Sequence, residues 1–117
     1  MKYSILIYET AEEFASRSSP ATMGPMMAAY GAYSEALVKA GVMAGGAGLL
    51  PPSTATTLRV KNGQRQVQDG PFADTKEQIG GFYVIDVPDL DTALAWAAKC
   101  PAAATTGVEV RPNIPMD

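Results

Sequence analysis

The chain of 117 residues contains no histidine, and with it go the commonest metal ligand and the usual acid-base group near neutral pH. Imidazole-based zinc sites and Ser-His or Cys-His nucleophile systems are excluded. A single cysteine, Cys100, rules out an internal disulfide. No run approaches the roughly 20 consecutive apolar residues of a membrane-spanning helix, and the first residues lack the charged start and apolar core of a secretory leader. These absences point to a cytoplasmic protein. Basic charge is scarce as well: nine Lys and Arg, scattered, stand against twelve Asp and Glu, a net charge of -3. Direct nucleic-acid binding, which needs a basic field, is disfavoured.

What is present suits one globular domain over residues 1–117. Hydrophobic residues make up 47% and charged residues 18%, enough for a core and too few charges for disorder. Lys2 to Tyr8 alternates as a strand, with Tyr3, Ile5 and Ile7 on one face and Ser4, Leu6 and Tyr8 on the other. Glu9 to Ala21 reads as a polar loop, with room for a helical turn, and Ser19-Pro20 suits a helix start. A helix is expected from Met23 or Met26 to Ala40, its buried face formed by Met26, Tyr30, Tyr33 and Leu37 and flanked by Val38. Gly24-Pro25 predicts a kink or a delayed start, and Gly41 a left-handed stop. Gly45-Gly46 suggests a bulge or close backbone approach in the following glycine-rich stretch. Asn62-Gly63 predicts a hairpin between Thr54–Lys61 and Gln64–Gln68.

Gly80 to Val87 reads as a strand with Tyr83, Ile85 and Val87 on one face and Phe82 and Val84 on the other. Asp89 is placed to cap a second helix with a stripe of Leu90, Ala93, Leu94 and Ala97. A last strand at Gly107 to Pro112 turns Val108 and Val110 inward and Glu109 and Arg111 outward. This order predicts an α+β, ferredoxin-like sandwich with an inserted β-hairpin. Two helices cover one sheet face only, so Leu6, Tyr8, Phe82 and Val84 on the other invite a homodimer, or an inserted loop, as cover.

The segment Asp69-Gly70-Pro71-Phe72-Ala73-Asp74-Thr75-Lys76-Glu77-Gln78-Ile79-Gly80-Gly81-Phe82 joins two strands and resembles the signature of the DGPF branch of the YCII-related family. The likeness runs from Tyr3–Tyr8 through Ala28-Ala29-Tyr30 and Pro51–Thr57 to Val108–Pro112. It implies a dimeric α+β barrel with pockets between the sheet and its surroundings. In the wider family a histidine and an aspartate suggest enzymatic activity; this chain has no histidine, so only Asp69 to Phe72 carries over. Haem, held by histidine in some dimeric α+β barrel proteins, is disfavoured too, and no cofactor is expected.

Two constellations could carry chemistry. In the first, a partly desolvated Asp69 acts as a base and Lys76 binds an anionic group, beside Asp74, Glu77 and Phe72. Turn chemistry offers the alternative that Asp69 caps backbone amides and Phe72 fills the core. Gly80-Gly81 permits close approach of a ligand or backbone. A hard cation such as Mg²⁺ on Asp69, Asp74 and Glu77 matches no calcium-loop spacing, and no metal is required. In the second, Arg111 clamps a carboxylate or phosphate while Glu109 orients it or acts as base, or the two form a plain ion pair. Tyr8 and Tyr83 are candidate pocket walls or core. Met23, Met26, Met27 and Met43 could form an adaptable apolar wall or simply pack, and Cys100 suits a small core position. Two functions follow: a small-molecule binding protein with possible acid-base activity, its ligand near the Asp69–Glu77 segment, or a regulatory module. The resemblance implies the latter, since similar proteins occur fused to sigma-70-type transcription factors.

Overall fold

A computed structural model describes residues 1–116. The order is β1 (Lys2–Thr10), α1 (Ala11–Ser16), α2 (Pro20–Lys39), β2 (Met43–Gly48), β3 (Thr56–Lys61), β4 (Gln64–Asp69), β5 (Glu77–Asp86), α3 (Leu90–Ala97) and β6 (Val108–Pro112), with short 3₁₀ turns at Pro52–Thr54 and Pro101–Ala104. Four strands form an antiparallel sheet in the order β2-β5-β1-β6. With α2 and α3 as the two connecting helices, this is the ferredoxin-like arrangement of an α+β sandwich. Strands β3 and β4 form a separate two-stranded sheet joined at Asn62-Gly63, both with positive φ (53° and 76°), the backbone of a tight hairpin turn.

Strand alternation sets the core. Tyr3, Ile5 and Ile7 of β1 and Ile85 of β5 are buried against Tyr33 and Leu37 of α2 and Ala93 and Ala97 of α3. Ile5, Leu37 and Ile85 are fully buried, each worth about 1.5–3 kcal/mol in apolar transfer. Cys100 is a core residue, and burial pushes its thiol up. On α3 only the alanines of the expected stripe go inward: Leu90 and Leu94 are exposed, and Trp96 supplies the packing instead. Asp89 caps that helix by accepting from the Thr92 amide at 2.8 Å.

Two helical boundaries differ from the sequence reading. Helix α2 starts at Pro20, ahead of Met23, and continues through Pro25; Ser19-Pro20 sets the start, and Pro25 removes one early backbone hydrogen bond without ending the helix. The stretch read as a polar loop contains α1, nucleated by a reciprocal cap. The Glu13 amide donates to Thr10 Oγ1 at 3.2 Å and the Thr10 amide to Glu13 Oε1 at 3.0 Å. Gly41 provides the left-handed stop after α2, with φ 73°.

The molecule measures 45 × 43 × 19 Å. The short dimension holds one sheet and one helix layer, so Leu6, Tyr8, Phe82 and Val84 form a half-buried face with no third layer over it among the described residues. The β3–β4 arm is nearly all exposed; Leu58, Val60 and Val67 stand out of it. No described helix is long and apolar enough to cross a membrane.

Candidate functional site

On the helix side of the sheet, α2, β2 and the near ends of β1 and β5 enclose a cavity of about 610 Å³, the size of a small-molecule site. Its walls are Met23, Met26, Tyr30, Met43 and Tyr83, with Leu49 and Leu50 at the lip. Three of the four methionines that the sequence offered as an adaptable wall are half-buried, and Met27 stands exposed on the same helix. Ser34 Oγ and Tyr83 Oη satisfy each other at 2.7 Å. Burial, with the nearby Glu9 carboxylate adding to it, pushes the Tyr30 phenol well above its ordinary range, so it stays a neutral hydroxyl.

One end of this apolar space carries an ion pair. Glu9 follows Tyr3, Ile5 and Ile7 on the inward face of β1, and is 7% exposed. Arg17, at the C-terminal end of α1, folds back so that its Nη2 donates to Glu9 Oε2 at 2.5 Å and to the Gly80 carbonyl at 3.3 Å. Its Nη1 donates to the Leu49 carbonyl at 2.5 Å, and the guanidinium carbon lies 4.8 Å from the centre of the Phe14 ring. Arg17 Nε is sealed and has no partner, alone in this among the described buried side-chain nitrogens and oxygens. A charge pair out of water survives only when most of its polar atoms are satisfied. Two backbone carbonyls, those of Leu49 and Gly80 at the adjoining ends of neighbouring strands, help supply that satisfaction.

Gly80 makes the pair possible. Along the β1–β5 ladder Ile7 faces Gly81 and Tyr8 faces Ile79, so Gly80 is the extra residue of a β-bulge. A Cβ there would stand 1.6 Å from Glu9 Oε2 and 3.0 Å from Arg17 Nη2. The space a side chain would fill is the space the carboxylate occupies. Gly46, φ 150°, on the neighbouring strand β2, is bare for the sake of backbone: a Cβ would meet the Phe82 carbonyl at 2.5 Å. The close approach expected at both glycine pairs is thus present.

The residues singled out from sequence lie elsewhere. Tyr8, Lys76, Glu77 and Glu109 come together with Thr75 and Thr106 in a shallow groove of about 400 Å³. Tyr8 Oη lies 3.5 Å from Glu109 Oε1, at the limit of a hydrogen bond. Arg111 pairs with Glu109 along the same strand, with side chains 69% and 40% exposed, which is the plain ion pair of the two readings. Glu77 is the first residue of β5, opposite Thr10, and is exposed.

Asp69 and Phe72 line neither cavity. Asp69 is the exposed last residue of β4, so the partial desolvation expected of a base is missing. Its turn is closed without the Asp69 side chain, the Gly70 amide donating to the Ala55 carbonyl and Thr57 Oγ1 to the Gly70 carbonyl, each at 2.8 Å. Phe72 does not fill the core: it is 74% exposed, beneath the Arg59 guanidinium at 4.7 Å. Among the described residues no three carboxylate or thiol side chains gather as a metal site.

Sequence reasoning passed over Glu9 and Arg17. Their signal is a carboxylate at the fourth inward position of an otherwise apolar strand face, next to a strand that carries a glycine pair. A Thr-x-x-Glu cap follows, and it builds the helix that delivers the arginine.

The sequence pattern of the YCII-related domain matches residues 1–117. The chain is also 40% identical over 114 residues to an uncharacterized protein of Rhizobium meliloti (strain 1021), covering 96% of this chain and 91% of that one. An inserted-arm, ferredoxin-like chain matched along its whole length in this way belongs to the YCII-related family.

Proposed function

We propose that this protein is a cytoplasmic small-molecule binding protein of the DGPF branch, and that its ligand occupies the cavity between α2 and the sheet. The observation that carries this reading is the buried Glu9–Arg17 pair at one end of an otherwise apolar space of about 610 Å³, with Gly80 left bare to admit it. A fold gains little from such a pair relative to apolar packing, whereas a binding site gains an oriented polar group. Glu9 then replaces Asp69 as the carboxylate with which any acid-base step would be made. The protein acts as a homodimer, sheet face to sheet face, which covers Leu6, Phe82 and Val84 and closes the groove formed by Tyr8, Lys76, Glu77 and Glu109.

A thermal-shift screen of metabolites on the wild type and on Met26→Trp, which fills the cavity, tests the reading. A ligand at a hundredfold excess over its Kd stabilises by about 2.7 kcal/mol, a shift of several degrees. The shift is expected in the wild type and absent in folded Met26→Trp. An equal shift in both, or a screen without any hit, counts against the cavity.

The regulatory reading draws on the arm, whose exposed Leu58, Val60 and Val67 suit a protein contact. Retention of a sigma-70-type factor by the wild type, lost on Leu58→Lys with Val67→Lys, would favour it over the ligand-binding reading.

A further inference from the structure

The polar end of the cavity is asymmetric, and the asymmetry selects a class of ligand. Both terminal nitrogens of Arg17 are already engaged, Nη1 by the Leu49 carbonyl and Nη2 by Glu9 and the Gly80 carbonyl. Its Nε is sealed from the cavity. The guanidinium therefore offers no two-pronged grip to a carboxylate or phosphate. Glu9 is different. Arg17 engages Oε2, while Oε1 accepts no hydrogen bond and is not among the sealed atoms. A carboxylate more than nine-tenths buried thus turns a free acceptor toward an apolar cavity. Ser34 and Tyr83 satisfy each other, and the methionines and Tyr30 supply deformable and aromatic walls.

Building on the cavity as the ligand site, we propose that it takes a neutral apolar molecule headed by a hydrogen-bond donor, a phenol or an N–H group, which donates to Glu9 Oε1. Anions are rejected: their charge meets the free carboxylate oxygen, and no unengaged cation compensates it. An apolar molecule without a donor leaves that oxygen unpaired and binds more weakly.

Three probes of one shape separate these cases: 2-naphthol, 2-methoxynaphthalene and 2-naphthoate, titrated calorimetrically at pH 7. The wild type is expected to bind 2-naphthol about tenfold or more tightly than either of the others. In Glu9→Gln the amide carbonyl faces Arg17 and its N–H₂ faces the cavity, so the preference of 2-naphthol over 2-methoxynaphthalene falls to parity or reverses. Equal binding of 2-naphthol and 2-methoxynaphthalene by the wild type, or tighter binding of 2-naphthoate, overturns the donor rule and leaves the cavity reading intact. Failure of all three to bind removes the cavity reading and this inference with it. Should Glu9→Gln prove unfolded by circular dichroism, the wild-type ratios decide alone.

Discussion

Among the described residues each face of the four-stranded sheet carries one carboxylate-guanidinium pair, and the two faces treat theirs in opposite ways. Glu9 and Arg17, on the helix side, leave 9% and 16% of their side chains exposed; Glu109 and Arg111, on the open side, leave 40% and 69%. The inner pair is fixed by two backbone carbonyls, a bulged glycine and an aromatic ring. Among the described residues the outer pair has its own two partners and the distant Tyr8 hydroxyl. Identical chemistry therefore differs in consequence: in water such a pair is worth about 0–1 kcal/mol, while losing one partner of a buried pair costs roughly 3–5 kcal/mol. A candidate site is better recognised by what the fold has arranged around a charge than by the charge itself.

The inner pair is most vulnerable at the glycine. Gly80→Ala puts a methyl group 1.6 Å from Glu9 Oε2, so the carboxylate must leave Arg17 or the bulge must reopen. A loss of roughly 3–5 kcal/mol in urea unfolding is expected. Gly48→Ala, a change on the same cavity wall with open space around it, should stay within about 1 kcal/mol of wild type. Equal effects at the two glycines would mean that the inner pair is not held as described.

The arginines provide the next test. Arg17→Met keeps the apolar stem and strands the Glu9 charge in the cavity wall, for a loss of about 3–5 kcal/mol. Arg111→Met removes a partner that water replaces and should cost about 0–1 kcal/mol. Chemical denaturation of both variants reads the difference directly. A smaller and opposite effect is expected away from both pairs: Gly31 lies inside α2, and a methyl group added there would meet nothing within 4 Å. Gly31→Ala should yield about 0.5–1 kcal/mol of added stability.

The same contrast explains what was legible in the sequence. Period-two alternation marked β1, β5 and β6, because Tyr3, Ile5, Ile7 and Ile85 must all reach one core. The stripe Tyr30, Tyr33 and Leu37 marked α2, and Asn62-Gly63 marked the arm's turn. The ferredoxin-like order follows from those elements. The site was less legible for a physical reason. Asp69, Lys76, Glu77, Glu109 and Arg111 attract attention as charges close together in sequence, yet burial, which gives a charge its leverage, is a property of the assembled layers. Glu9 lies next to nothing charged in its own strand. Its partner arrives from α1, a helix of six residues whose apolar content is too slight for periodicity to reveal, and the bulged glycine that makes room for it is seventy-one positions away.

Helix α1 also connects the two regions, and there the smallest effect is expected. It delivers Arg17 to the cavity at one end, while Glu13 in its first turn reaches Thr106, which lines the groove on the other side. Burial works to raise the Glu13 pKa, but hydrogen bonds from the Thr106 hydroxyl and from the Thr10 amide and hydroxyl outweigh it, so the carboxyl lies below its ordinary value of 4.5. A carboxylate with a depressed folded-state pKa contributes stability that is fully present above its unfolded value and is lost as pH falls through the folded one. Glu13→Gln should therefore be slightly less stable than wild type at pH 7, and the gap should close as the pH drops below 4.5. Urea unfolding at pH 7, 5 and 3.5 follows it. A constant gap would mean that Glu13 acts through amide-compatible hydrogen bonding rather than charge, and that the tether between groove and cavity is indifferent to acid.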